Sequence, residues 1–180
     1  MAVEDSTLVE EVLRGNRSAY AELYDRYAPV VRAICYDATR DLSQAQDLSQ
    51  DVFLRAYSRL GQLRDHSRFA AWLVGIARMA CREWRRRQMR DRHKYVGLSP
   101  AEPTADGQPS DDGRLDGLRR AMAALPERER LALHVFYLQG QSADAVRQIL
   151  GLSSSGAYRL LDRARQRLHN LLADKQENER

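Results

Sequence analysis

The 180-residue chain has only two cysteines, Cys35 and Cys81, with no C-x-x-C pairing and no histidine cluster beside them. A disulfide framework or a thiolate metal site needs more, so the pair reads as two buried or idle thiols. The four histidines, His66, His93, His134 and His169, stand singly. We therefore expect no metal site and no cofactor. Long apolar runs are missing too. Nothing approaches the roughly 20 residues that span a bilayer, and the opening MAVEDSTLVEEV is acidic where a signal peptide is basic. The expectation is a cytoplasmic protein with no membrane insertion. Catalytic signatures are also lacking: no Walker glycine loop, no G-x-S-x-G elbow, no HExxH and no supported pair of carboxylates. These absences argue against an enzyme.

Lysine is scarce as well. Of 29 basic residues only Lys94 and Lys175 are lysines; the rest are arginine. Their distribution is uneven. Residues 75–95 hold Arg78, Arg82, Arg85, Arg86, Arg87, Arg90, Arg92 and Lys94 against Glu83 and Asp91, a net charge of +6. Residues 1–60 hold seven arginines against ten acids, a net charge of −3. Segregated charge of this kind favours a polyanionic partner at one place, and nucleic acid is the natural one.

Residues 97–113, GLSPAEPTADGQPSDDG, contain three prolines, three glycines, four acids and one large apolar residue. Such a segment buries too little surface to offset its ordering entropy, so it reads as a flexible linker. It divides the chain into domains 1–96 and 114–180. The expected fold class is all-α: two small helical domains, the C-terminal one containing a helix-turn-helix. In the first domain, apolar periodicity predicts helices over about 6–13, 18–36 (kinked at Pro29), 43–59 and 68–90. The third opens on an S-x-x-Q capping box, Ser43 with Gln46. In the second domain, helices are expected over about 115–124, from Pro126 to near Gly140 with Glu127 and Glu129 in the first turn, 142–150, and 153–172. No alternating apolar pattern suggests a strand.

The fourth helix carries an apolar face, Phe69, Trp72, Leu73, Ile76, Ala80 and Trp84, and a basic one, Arg78, Arg82, Arg85 and Arg86. Guanidinium groups in a row suit phosphates and can stack on unpaired bases; a solvated surface is the plainer reading. Trp84 fits either set, as the end of the core stripe or as a base-stacking ring. On the third helix Leu48, Val52, Ala56 and Leu60 suffice for a core stripe, while Phe53, Leu54 and Tyr57 widen the apolar surface beside Asp47, Gln50 and Asp51. That is either a protein-binding face or a helix buried on two sides. Residues 141–172 form a helix-turn-helix candidate. Val146, Ile149 and Leu150 precede the turn Gly151-Leu152-Ser153, and Ala157, Leu160, Leu161, Ala164, Leu168 and Leu171 make an inward stripe. Ser155, Tyr158, Arg159 and Arg163 then face outward where a recognition helix meets DNA; a plain helical hairpin is the alternative.

Three collinear segments resemble the extracytoplasmic-function group of RNA polymerase sigma factors. DLSQDVFLRAY (47–57) is similar to that family's polymerase-binding helix, and FAAWLVGIARMACREWRRR (69–87) to the adjoining helix that melts and reads the minus-ten promoter element. LPERERLALHVFYLQGQSADAVRQILGLSSSGAYRLLDRARQRL (125–168) is similar to the C-terminal domain that reads the minus-thirty-five element. The resemblance implies an alternative sigma factor whose partners are core RNA polymerase, promoter DNA and an anti-sigma factor. It implies that Asp47, Gln50, Asp51, Phe53, Leu54 and Tyr57 dock on polymerase. It places Arg78, Met79, Arg82, Trp84, Arg85, Arg86 and Arg87 at the opened minus-ten strand, and Ser153, Ser155, Tyr158, Arg159 and Arg163 at the upstream duplex. The chain departs from the family pattern at Met79, usually asparagine, at Arg147, usually small and apolar, and at Ser155-Gly156-Ala157 and Tyr158-Arg159-Leu160. A DNA-binding regulator that works without polymerase, or a sigma-like adaptor, would share parts of this pattern.

Overall fold

The computed structural model describes residues 3–94 and 113–178, with side chains given for 3–91 and 115–173. Among these residues every regular element is helical. They fall in two compact units. The first comprises α1 (Asp5–Leu13), α2 (Arg17–Thr39), α3 (Leu42–Arg59) and α4 (Phe69–Lys94), with 3-10 turns at Leu60–Gln62 and His66–Arg68 before α4. The second comprises α5 (Gly113–Ala124), α6 (Glu127–Leu138), α7 (Ala143–Leu150) and α8 (Ser154–Asn178). Of the expected linker, 97–112 lie outside the described residues, and Gly113 opens α5. None of the described helices is long and apolar enough to cross a membrane.

Side-chain caps set the starts of α2, α3, α7 and α8. Asn16 accepts from the Ser18 amide at 3.1 Å, Ser142 from Ala145 at 3.1 Å and Ser153 from Gly156 at 3.1 Å, each satisfying an amide that the first turn leaves unpaired. The expected capping box at Ser43 is not the start of α3. Arg40, in the left-handed region at φ 57°, ends α2, and Asp41 then takes the extended conformation of a cap and accepts from the Gln44 amide at 2.7 Å. Ser43 therefore sits inside the first turn. Pro126 likewise stands one position before the first turn of α6, where its carbonyl accepts from the amides of Glu129 and Arg130, both at 3.0 Å. Pro29 is exposed, and α2 runs on through it to Thr39.

The core of the first unit is built from Leu8, Val9 and Val12 of α1, Leu23, Val30, Val31 and Ile34 of α2, Leu48, Val52, Phe53 and Ala56 of α3, and a broad face of α4. Each such aliphatic or aromatic side chain, fully buried, contributes about 1.5–3 kcal/mol of transfer free energy. The α4 face is wider than the predicted stripe. Ala70, Val74, Ala77 and Cys81 are buried with Phe69, Leu73, Ile76 and Ala80, because α4 packs against α1, α2 and α3 together. Cys35 and Cys81 are free thiols in this core; the Cys81 thiol donates to the Ile34 carbonyl at 3.7 Å. Its hydrogen bond with Cys81, together with burial, holds Cys35 protonated.

In the second unit α8 packs on α5, α6 and α7 and buries Ala157, Leu160, Leu161 and Ala164 of the predicted inward stripe, while its last two members, Leu168 and Leu171, are half-buried. Leu131, Ala132, Leu133 and Val135 of α6 are buried with them. Arg130 is buried too, and its Nη1 donates to the carbonyls of Ala123 at 3.0 Å and Leu125 at 3.2 Å. It thereby satisfies acceptors that the C-terminal end of α5 leaves open.

Candidate functional site

Asp47, Gln50, Asp51, Leu54 and Tyr57 lie three or four residues apart on α3, and all are exposed. The helical repeat gathers them on one stripe. Phe53 is not part of it. Its side chain is only 3% exposed, on the inward side with Val52 and Ala56, and its ring lies 4.5 Å from that of Tyr24. One helical step of about 100° separates Phe53, on the inward side, from Leu54, 68% exposed.

Beside the stripe runs a groove of 530 Å³, to which Arg17, Tyr20 and Tyr24 of α2 contribute as well as Gln50, Phe53, Leu54 and Tyr57 of α3. The α2 residues do not stand out in the sequence, although Tyr20 and Tyr24 at i and i+4 are a legible aromatic pair. Tyr20 donates its hydroxyl to the Phe53 carbonyl and sets its ring edge-on to Tyr57 at 4.8 Å. Burial pushes the pKa of this hydroxyl well above the ordinary tyrosine value.

A second cleft, of 230 Å³, lies between α3 and α4 and is lined by Gln44, Asp47, Asp51, Arg55, Glu83, Trp84 and Arg87. Arg55 spans it, donating to Glu83 at 2.7 Å and standing 3.9 Å from Asp51. Trp84 and Arg87, expected with the minus-ten arginines, therefore look toward α3. Arg87 is nine residues beyond Arg78, half a turn away in angle, so the two lie on opposite sides of α4. Trp84 is half-buried, which favours the end of the core stripe over a free stacking ring.

Arg78, Arg82, Arg85 and Arg86 are exposed and share the other side of α4, with Met79 half-buried beside them. Seven residues before Arg78, and so on the same side, Ala71 lines a pocket of 410 Å³ with Leu63, Arg64, Asp65, Arg68 and Trp72. Two guanidinium groups and an indole around a space of this size suit a planar, anionic-backbone ligand such as an unstacked nucleotide. Most of its members come from the turns preceding α4, where no periodic pattern marks them.

In the second unit α7 ends at Gly151, whose φ of 61° lets the Leu152 amide return to the Arg147 carbonyl at 2.9 Å. The chain then turns through Leu152 and Ser153 into α8. Ser153, Ser155, Tyr158, Arg159 and Arg163 are all exposed along the start of α8. Arg163 also reaches Glu129 of α6, at 3.4 Å. Arg165 instead stacks on Phe136, 4.5 Å from the ring centre. Arg147, the departure in α7, pairs with Asp144 at 2.6 Å on the exposed side.

Residues 23–91 match Sigma-70 region 2, and residues 115–168 match Sigma-70, region 4. Over 83% of its length the chain is 30% identical to the ECF RNA polymerase sigma factor SigM of Bacillus subtilis, 93% of which it covers. It is 33% identical, over 88% of its length, to the probable RNA polymerase sigma factor RfaY of Xanthomonas campestris, and spans only 41% of that protein. Among solved structures, RpoE of Bartonella quintana, determined in complex with the anti-sigma factor NepR, has the same fold. Its TM-score is 0.58 at 24% identity, over 86% of this chain and 96% of that one. The chain belongs to the extracytoplasmic-function group of the sigma-70 family of RNA polymerase sigma factors.

Proposed function

We propose that this sigma factor, which directs promoter-specific initiation by core RNA polymerase, divides the work among three surfaces. Residues 1–96 act as sigma domain two and residues 114–180 as sigma domain four, with 97–113 as the tether. The exposed stripe Asp47, Gln50, Asp51, Leu54 and Tyr57 docks on polymerase. The observation that carries this reading is the segregation of that acidic and apolar stripe on α3 from the arginines of α4. A protein partner and a polyanion need opposite surface chemistry.

Arg78, Arg82, Arg85 and Arg86 hold the opened minus-ten strand, with Met79 beside them, and the pocket of Arg64, Arg68 and Trp72 receives an extruded base. Binding such a base offsets the stacking lost on melting. Ser153, Ser155, Tyr158, Arg159 and Arg163 contact the upstream duplex through base edges and phosphates. The protein acts in the cytoplasm, needs no cofactor and performs no catalysis itself. An anti-sigma factor restrains it; the fold shared with RpoE, which was solved bound to one, and the apolar groove beside Leu54 and Tyr57 support this reading.

The test is transcription in vitro with core polymerase over genomic fragments. New start sites that depend on the chain are expected, and Asp51→Arg with Leu54→Ala should remove them. Failure of the wild-type chain to bind core polymerase would sink the proposal. Recovery of native partners from cells should yield polymerase and an inhibitor.

A further inference from the structure

Glu129 is the buried carboxylate among the described residues, only 5% exposed. It projects from α6 to α8, where Nη1 of Arg167 lies 3.0 and 3.2 Å from its two oxygens. The Nε of Arg163, one turn earlier on α8, lies 3.4 Å from Oε1. A carboxylate taken out of water must be compensated, and these two guanidinium groups do it. They do so unequally. Arg167 gives Glu129 both contacts of one terminal nitrogen, whereas Arg163 approaches through Nε and its side chain remains 63% exposed. The stem of Arg163 is thus tethered while most of its guanidinium faces solvent. Ser155, Arg159 and Arg163 follow one another at intervals of four, so the tethered arginine lies on the exposed stripe of α8.

We propose that Glu129 is a positioning residue for DNA recognition: from inside the unit it anchors Arg163 by Nε, so that the remaining donors meet a duplex phosphate in register with Ser155 and Arg159. The inference rests on the reading of α8 as a recognition helix. A long arginine held in place before binding loses less side-chain entropy when it meets DNA. The sign of the effect separates positioning from a plain charge effect. Removing a negative charge near a polyanion should by itself tighten binding. Loss of a positioning carboxylate should weaken it.

The experiment measures binding of the full chain to a short random-sequence duplex by fluorescence anisotropy across a salt series, beside a thermal melt of each variant. Arg163→Ala should weaken binding roughly threefold and reduce the salt slope by about 0.9, the signature of one lost phosphate contact. Glu129→Gln should weaken binding to a similar degree, and the double variant should be no worse than either alone. Arg163→Lys keeps the charge but has no Nε to tether, so it should behave like Glu129→Gln; it carries the test if Glu129→Gln melts too low to measure. Binding by Glu129→Gln or Arg163→Lys as tight as wild type, or additive losses in the double variant, would overturn the proposal and leave the recognition-helix reading standing. No effect of Arg163→Ala would instead remove Arg163 from the DNA contact, and the inference with it.

Discussion

Arg55 of α3 and Glu83 of α4 are joined by a hydrogen-bonded ion pair of 2.7 Å, which fastens α3 to the arginine-bearing α4. The bond from Arg55 holds the Glu83 carboxyl below its ordinary value of 4.5, aided by the charges of Arg55, Arg87 and Arg59 and opposed by desolvation. A depressed folded-state value means that the stabilisation is complete above pH 4.5 and is lost as pH falls through the lower folded value. Thermal melts of wild type and Glu83→Gln should therefore differ at neutral pH and converge under acid. The gap should be small, since both side chains are partly exposed. A gap that widens under acid would contradict the pairing.

Adjacent residues of α3 should respond in opposite ways. Phe53→Ala empties a core position and should cost about 3–5 kcal/mol of stability, read by denaturant or thermal unfolding. Leu54→Ala should stay within about 0.5 kcal/mol of wild type yet weaken binding to core polymerase. If Leu54→Ala unfolds the chain and Phe53→Ala does not, the placement of the two side chains is wrong.

Gly156 tests a competition at the start of α8. Alanine there should gain up to about 1 kcal/mol of helix propensity. Its Cβ, however, would stand 3.1 Å from the Ser153 oxygen that caps the helix, so that hydroxyl must shift by a few tenths of an ångström and its bond from the Gly156 amide weakens. A full cap is worth about 1 kcal/mol, so the weakened one offsets part of the gain and Gly156→Ala should stabilise by less than the propensity difference in thermal unfolding. In a Ser153→Ala background the clash is gone, and Gly156→Ala should stabilise by about 1 kcal/mol. Equal effects in both backgrounds would show that the cap and the glycine are independent.

The pocket before α4 should matter for opening and not for assembly. Arg64→Ala and Arg68→Ala leave the α3 stripe untouched, so binding to core polymerase should be unchanged. Formation of the open promoter complex should slow by about tenfold, as expected when contacts to an unstacked base are lost. Normal opening kinetics in both variants would take the pocket out of the mechanism.

Most of the architecture can be read from residue order. The 3.6-residue apolar repeat locates the helices, and Ser142, Ser153 and Gly151 mark their ends, because caps and left-handed glycines act through bonds a few residues long. The inward stripe of α8 follows from the same repeat. The opposed sides of α3 and α4 do not follow fully. Phe53 and Leu54 are both large, apolar and adjacent, and nothing local says which faces α2; the ring of Tyr24 does. Trp84 and Arg87 sit within a basic run, yet the position of α3 turns them toward Asp47 and Asp51. Glu129 reads as a first-turn acid suited to the helix dipole, and only the packing of α8 on α6 makes it a buried partner of Arg163 and Arg167. Periodicity reports the angle of a side chain around its own helix. What lies at that angle depends on residues far away in the chain, so the surfaces proposed to meet polymerase and DNA take their membership from packing.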